Sequence, residues 1–563
     1  MVKRFLSFIG KEISGLHEAA YLLGAFAVGS QILALVRDRL FAYTFGATNA
    51  VGSTNILDVY YAAFRIPDFI FVAVASMVSI SVLIPFLMEK IDSSEEEAKE
   101  FIDGVFSVFF LIIGSVALVA WLLTPWLIKL FFPTFSNDYD VLVSMTRIML
   151  LSPIFLGFSN FLASITQIYR RFFIYAISPV VYNIGIIFGI VVLYPAMGIN
   201  GLAWGVAIGA FLHFFIQVPF VWHKSLFPRL HFPVNLAPIK KVVLVSLPRT
   251  ITISSNEIAE FFLVALAGTL AGGAISIFNF AWNLQSVPLS IIGVSYSLAA
   301  FPVLTRLFTS GDQKKFVEQM VVSTKHILFW SIPVMTLFVV LRAQIVRVIL
   351  GAGNFNWDDT RLTAAALAVF TLSLIPQSLT SLFVRAYYSR GDTRRPLSMN
   401  IFSAVCIIGF SFFFVYIFQH NDFFRFFIEN LFRIDDIPGS VVLMLPLGFS
   451  VGATINMILH WIAFERDFHG FTRSVGRSLF QVLSSSIIMG AVTYWFLDVF
   501  NLRFDIHTFT GIFLQGFLAG TIGIIVNILL LILMGNKELV IIAKTLKHKI
   551  WKARVIPADP SGA

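Results

Sequence analysis

About fourteen apolar runs, each near the twenty residues a helix needs to cross the hydrocarbon of a bilayer, dominate the chain. They fall at 17–43, 56–88, 101–131, 141–168, 174–194, 199–221, 240–267, 273–304, 322–350, 362–389, 397–418, 439–463, 475–498 and 509–534. In hydrocarbon no water satisfies backbone amides and carbonyls, so such runs cross as helices. Of 563 residues 58% are hydrophobic and 13% charged, and the mean hydropathy is +0.86. That is more apolar surface than a water-soluble fold can hide, so an all-α polytopic membrane protein is expected. Pro67, Pro153, Pro288 and Pro376 lie inside runs, where each removes a backbone donor and bends its helix.

Loop charge orients the runs. Lys and Arg collect in alternate loops: Lys3, Arg4 and Lys11; Lys90 and Lys99; Arg170 and Arg171; Lys224, Arg229, Lys240 and Lys241; Arg306, Lys314 and Lys315. The series continues with Arg390, Arg394 and Arg395, with Arg466, Arg473 and Arg477, and with the tail KTLKHKIWKAR. The intervening FFPTFSNDYD, YPAMGIN and GTLAGG lack either residue. The positive-inside rule then puts both termini in the cytoplasm, which needs an even number of spans. The net charge of +9 reads as loop anchors facing anionic lipid, with no nucleic-acid partner implied. MVKRFLSFIGKE reads as a basic amphipathic lead without a cleavage site, and ADPSGA as a disordered end. HNDFFRFFIENLFRIDDIPGS, near 420–440, alternates aromatic and charged residues at helical spacing; it reads as an interfacial helix or an ordinary ordered loop.

An internal repeat organises the spans. FLASITQIYRRFFIYAISPVVYNI from Phe161 recurs as SLTSLFVRAYYSRGDTRRPLSMNI from Ser378. One offset pairs Leu162 with Leu379, Ser164 with Ser381, Pro179 with Pro396, Asn183 with Asn400 and Pro85 with Pro302. With one residue of slip, YYAAFR at Tyr60 matches FNFAWN at Phe278. The expected organisation is a lead (1–16), a six-helix lobe (17–221), a linker (222–239) and a second lobe (240–463). An added helix pair (464–534) and a basic tail (535–563) follow. Lobes with an even number of spans are parallel repeats, which place substrate between them.

Ionisable residues at membrane depth are costly and mark candidate sites. The first two spans carry Arg37, Asp38, Asp58 and Arg65, either as a polar cavity floor or as helix ends reaching for headgroups. The seventh carries Arg249, Glu257 and Glu260; the two glutamates share a helix face. Such a pair can hold a proton or a cation, or hydrogen-bond a neighbouring helix. Asn283 takes the repeat position of Arg65. With one cysteine, Cys406, there is no intramolecular disulfide or cysteine metal site to expect. No metal-ligand spacing, Walker motif or catalytic triad occurs, so no enzyme, resident metal or cofactor is expected.

Several stretches have a family likeness: SQILALVRDRLFAYTFGA, DVYYAAFRIPDF, LIPFL, TPWLIKLFFPTF and ISPVVYNIGII, then FPVLTRLF, LGAGNF and AYYSRGDTRRP. Over roughly 15–535 the sequence resembles the MurJ/MviN family of lipid II flippases, within the multidrug/oligosaccharidyl-lipid/polysaccharide exporter superfamily. The resemblance implies a multi-pass protein of the bacterial inner membrane that moves lipid II to the outer leaflet by alternating access. It implies a cavity whose cations grip a diphosphate, with Arg37, Asp38, Asp58 and Arg65 at family positions, and a polyprenyl-tail groove in the last two spans. Sodium, protons or membrane potential would drive transport, and cell-wall synthesis enzymes are candidate partners. Gln31, Phe71-Val72, Ser76-Met77 and Asn283 stand where typical members carry Arg, Arg-Arg, Glu-Gly and Arg. The alternatives are an exporter of another lipid-linked glycan or small molecule, and a transport-inactive scaffold for envelope synthesis.

Overall fold

The computed structural model describes residues 16–48, 55–75, 80–234 and 236–542. Among them no strand occurs, and eleven helices are long and apolar enough to cross a membrane. In chain order the rods are α1 (Leu16–Phe45), α2 (Ile56–Ile70, then Phe71–Ala75 and Ile80–Ser93), α3 (Glu95–Phe131), α4 (Tyr139–Ile168) and α5 (Phe172–Met197). There follow α6 (Asn200–His223), α7 (Leu236–Ala267), α8 (Ala274–Thr309), α9 (Gln313–Val340) and α10 (Trp357–Ser389). The last are α11 (Arg394–His420), α12 (Ser440–Asp467), α13 (Phe471–Asn501) and α14 (Phe509–Leu533). The charged rods α1, α2 and α7 join the eleven to make fourteen, so the chain is a multi-pass membrane protein of the expected class.

Local chemistry sets the ends. Asn55, Ser94, Asp312 and Thr508 cap α2, α3, α9 and α14, each side-chain oxygen accepting an amide of the first turn. Gly470 turns the chain between α12 and α13 at φ +90°, where a Cβ would be strained. The run expected at 322–350 is two helices: α9 starts at Gln313 and stops at Val340, and Arg342–Leu350 follows. The break is at Leu341, and Arg342 Nη1 donates to the Val339 carbonyl at 3.0 Å. A π-helical turn interrupts α2 at Phe71–Ala75 and α8 at Leu289–Val294. Phe71 and Leu289 are separated by the same offset as Tyr60 and Phe278, so the irregularity repeats with the sequence.

Contacts divide the chain into two compact units. One runs to Val287 and includes Ile349–Phe370 and Asp392–Asn456. Within it α5 and α6 meet along glycines: a Cβ on Gly189 would stand 2.7 Å from Gly205 Cα. Small residues at this seam let two backbones approach, as bilayer packing favours. The other unit holds Pro288–Val348, Thr371–Gly391 and the chain from Met457. Its core packs Leu304, Phe316, Phe383, Phe464 and Phe471, and Gly490 and Gly516 let α13 and α14 close on Thr336 and Gln344.

Candidate functional site

The candidate residues of the first unit form two polar knots and one helix cap. In the first knot Arg37 turns onto its neighbour: Nε and Nη2 donate to Asp38 Oδ1 at 3.0 and 2.8 Å. Arg37 Nη1 reaches Asn183 Oδ1 on α5 at 3.3 Å, and Asn183 Nδ2 donates to the Pro179 carbonyl at 3.1 Å. The other Asp38 oxygen accepts from Asn283 Nδ2 on α8 at 3.0 Å. Asp38 is buried, which only paired hydrogen bonds of this kind make tolerable for a carboxylate.

The second knot surrounds Arg65, 8% exposed. Its Nη1 donates to Glu260 Oε1 on α7 at 2.5 Å and its Nη2 to Asn279 Oδ1 on α8 at 2.5 Å. Asp68 and Glu257 also lie within electrostatic reach of the guanidinium. Three carboxyls thus face one cation. Phe41, Tyr60, Tyr61 and Phe280 form a chain of ring contacts beside them. Next to Arg65 and Glu260 an apolar crevice of about 490 Å³ is lined by Ile66, Phe69, Ile70, Phe131, Phe261 and Phe262, among others.

Asp58 binds elsewhere. Its carboxylate accepts from the amides of Gly273 and Ser276 at 2.7 and 2.8 Å and from Ser276 Oγ at 2.6 Å, capping the start of α8. Asp359, at the start of α10, accepts in the same way from the amides of Ala47 and Thr48 at 3.1 and 2.8 Å. Asn354 donates to the Tyr43 and Thr44 carbonyls at 3.0 and 2.7 Å.

The structure therefore brings Arg37, Asp38 and Asn283 together, joins Arg65 to Glu260, and places Glu257 beside that pair. Asp58 makes its hydrogen bonds at the α8 terminus instead of with either cation. The side chain of Arg249, and residues 76–77, lie outside the described residues. Asn183, Asn279 and Asp68 were not singled out as site residues. Asn279 and Asn283 are four apart in FNFAWN and so share a face of α8, which is the signal that finds Asn279. Among the described residues no group of three or more His, Cys, Asp or Glu converges to hold a metal ion.

Residues 41–515 match the family described as lipid II flippase MurJ. The chain belongs to the lipid II flippase MurJ family. It is 24% identical over 476 residues to a probable lipid II flippase MurJ of Buchnera aphidicola subsp. Schizaphis graminum, covering 83% of this chain and 87% of that protein. Against a lipid II flippase MurJ of Burkholderia cenocepacia it is 21% identical over 495 residues, 85% of this chain and 90% of that one. A solved lipid II flippase MurJ in an inward closed conformation superposes with a TM-score of 0.69 at 22% identity, over 94% of this chain and all of that one. At that identity the superposition establishes a MurJ-like fold.

Proposed function

We propose that the chain flips a polyprenyl-diphosphate-linked peptidoglycan precursor, lipid II, from the cytoplasmic to the outer leaflet of a bacterial inner membrane. The carrying observation is membership of the MurJ family across residues 41–515. Loop charge supports cytoplasmic termini. Residues 17–221 and 240–463 act as the two lobes of an alternating-access transporter, a reading that the repeated π-helical turn supports. Residues 464–534 supply the tail groove; 1–16, 222–239 and 535–563 are lead, linker and tail. Membrane lipids surround it, and cell-wall synthesis enzymes are its protein partners. No step of this reading makes or breaks a covalent bond.

Arg37 and Arg65 are the substrate-gripping cations, with Asp38, Arg249 and Asn283 completing the site, while Asp58 serves it only by holding the start of α8. In the present arrangement Asp38 occupies the fork of Arg37, while Arg65 is shared between the Glu260 carboxylate and the Asn279 amide oxygen. A diphosphate enters by exchange: it takes the fork of Arg37 from Asp38, while Asn283 keeps a hydrogen bond to the released carboxylate. Arg suits this because its planar donors match carboxylate and phosphate alike. The apolar crevice beside Arg65 suits hydrocarbon.

Glu257 and Glu260 form the coupling site. One guanidinium offsets one of the three nearby carboxyls, and the two left over supply the oxygens that a coupling ion would meet. Charge movement also couples transport to membrane potential, at ~2.3 kcal/mol per charge per 100 mV. Glu257→Gln with Glu260→Gln is expected to remove the pH or sodium dependence of transport, measured in proteoliposomes with imposed gradients. An unchanged ion response rejects the coupling role.

A second reading rests on Gln31 and Asn283, which lack the charge of the family's usual arginines: the substrate is another lipid-linked glycan. Replacing an essential lipid II flippase with this chain separates the readings. Growth is expected if lipid II is the substrate; failure at normal expression favours the second.

A further inference from the structure

The loop between α11 and α12 carries a helix, Asp422–Phe432, that the transport reading leaves unused. Asn421 caps its start, accepting the Phe424 amide at 2.9 Å, and Arg433 ends it in the left-handed region at φ 58°. One face points into the protein: Ile428 is buried, and Glu429, also buried, accepts from Ser440 Oγ at 2.7 Å. Arg361 Nη1 and Nη2 hold Asp436 at 2.8 and 2.6 Å and fix the segment that follows. The helix is thus fastened on one side. On the other, Phe423 is 84% exposed, and Phe426, Phe427 and Leu431 are each at least half exposed. At these spacings the four side chains share one face. Asp422 and Arg425 pair at 3.1 Å on a different edge.

Depth decides what covers that face. Phe424 sets its ring 6.4 Å from Phe414 and 6.5 Å from Phe418, both on α11. At 1.5 Å per residue those rings lie ~9 and ~3 Å below the end of α11 at His420. The helix therefore folds back beside the last two turns of a spanning rod, where an in-plane amphipathic helix can reach a bilayer surface. Along its length α11 also leaves Phe402, Val405, Phe412, Phe413 and Tyr416 exposed, an apolar surface suited to hydrocarbon. The exposed aromatic face of the short helix adds to the apolar surface near the end of α11. Acidic and basic residues nearly balance along it, so apolar burial and not headgroup charge is the recognition chemistry.

We propose that Asp422–Phe432 is an in-plane membrane anchor whose Phe423, Phe426, Phe427 and Leu431 insert into the leaflet bordering the α11–α12 loop. A soluble protein partner would have to pass the headgroups to reach this face. The inference is independent of the transported substrate.

The test uses the full chain with Cys406→Ser, spin-labelled at a single new cysteine, in liposomes of zwitterionic phospholipid. Phe423→Cys and Phe427→Cys are compared with Asp435→Cys, an exposed position in the following loop. Labels at 423 and 427 are expected to collide with oxygen and to be shielded at least several-fold from a water-soluble nickel chelate relative to the label at 435. Nickel access equal to that at 435 at both positions overturns the anchor. So does exclusion of both reagents, which means protein covers the face. Two labelled positions keep the test decisive if one variant folds poorly.

Discussion

Arg65 shows how a single side chain in this protein serves opposed ends. Buried and paired with Glu260, it cannot lose its partner cheaply, because the survivor is a lone charge in a low-dielectric interior. Arg65→Ala is expected to cost ~3–5 kcal/mol and Arg65→Ala with Glu260→Ala clearly less, read from thermal unfolding of the purified protein. A double-variant loss equal to the sum of the two single-variant losses would show that the pair is not coupled. At Asp38 the argument concerns binding. Asn283→Arg with Gln31→Arg is expected to strengthen binding of a diphosphate-bearing lipid, and to do so less as salt rises. Titration with the lipid in detergent micelles checks this; unchanged affinity in folded protein removes these positions from the site. Arg37, Asp38, Glu260 and Asn283 were legible because charge and amide groups stand out in apolar runs. Their pairing was not, since which faces of α1, α7 and α8 meet is a tertiary fact that periodicity does not carry. Asp58 reads from sequence as another cavity carboxylate, yet an acid two turns before Arg65 equally suits a helix N-terminus, and there the backbone amides take it.

At the scale of elements, glycine decides how closely α5 and α6 approach. Gly185, Gly189, Gly205 and Gly209 touch across the seam with no room for a Cβ. Gly205→Val is expected to destabilise by more than the ~1–3 kcal/mol of ordinary overpacking, because backbone and not a flexible side chain is the obstacle. Loss of monodisperse protein on mild heating measures it; wild-type behaviour would mean the seam opens freely. The spans themselves were readable from hydropathy, including their number. The break at Leu341 was signalled only by Arg342, Gln344 and Arg347 just beyond it, since no Pro or Gly marks the spot. The π-helical turns of α2 and α8 follow Pro67 and Pro288, which were visible as bends but not as extra residues in a turn; a third, Gly189–Leu193 in α5, follows neither.

For the whole molecule, the eleven long apolar helices among the described residues and membership of the lipid II flippase MurJ family make the chain a multi-pass membrane protein of that family. Both candidate arginines are held by the protein's own carboxylates, so the account requires that substrate displace them. On the proposed mechanism that displacement begins at Arg37. The most direct measurement is translocation of fluorescent lipid II in proteoliposomes containing wild-type protein or Arg37→Ala, scored by accessibility of the headgroup to an external quencher. The account predicts translocation by wild-type protein and its loss, at least tenfold, in an Arg37→Ala protein that remains folded. Equal translocation by both proteins, or none by well-folded wild type under an imposed potential and ion gradient, would contradict it.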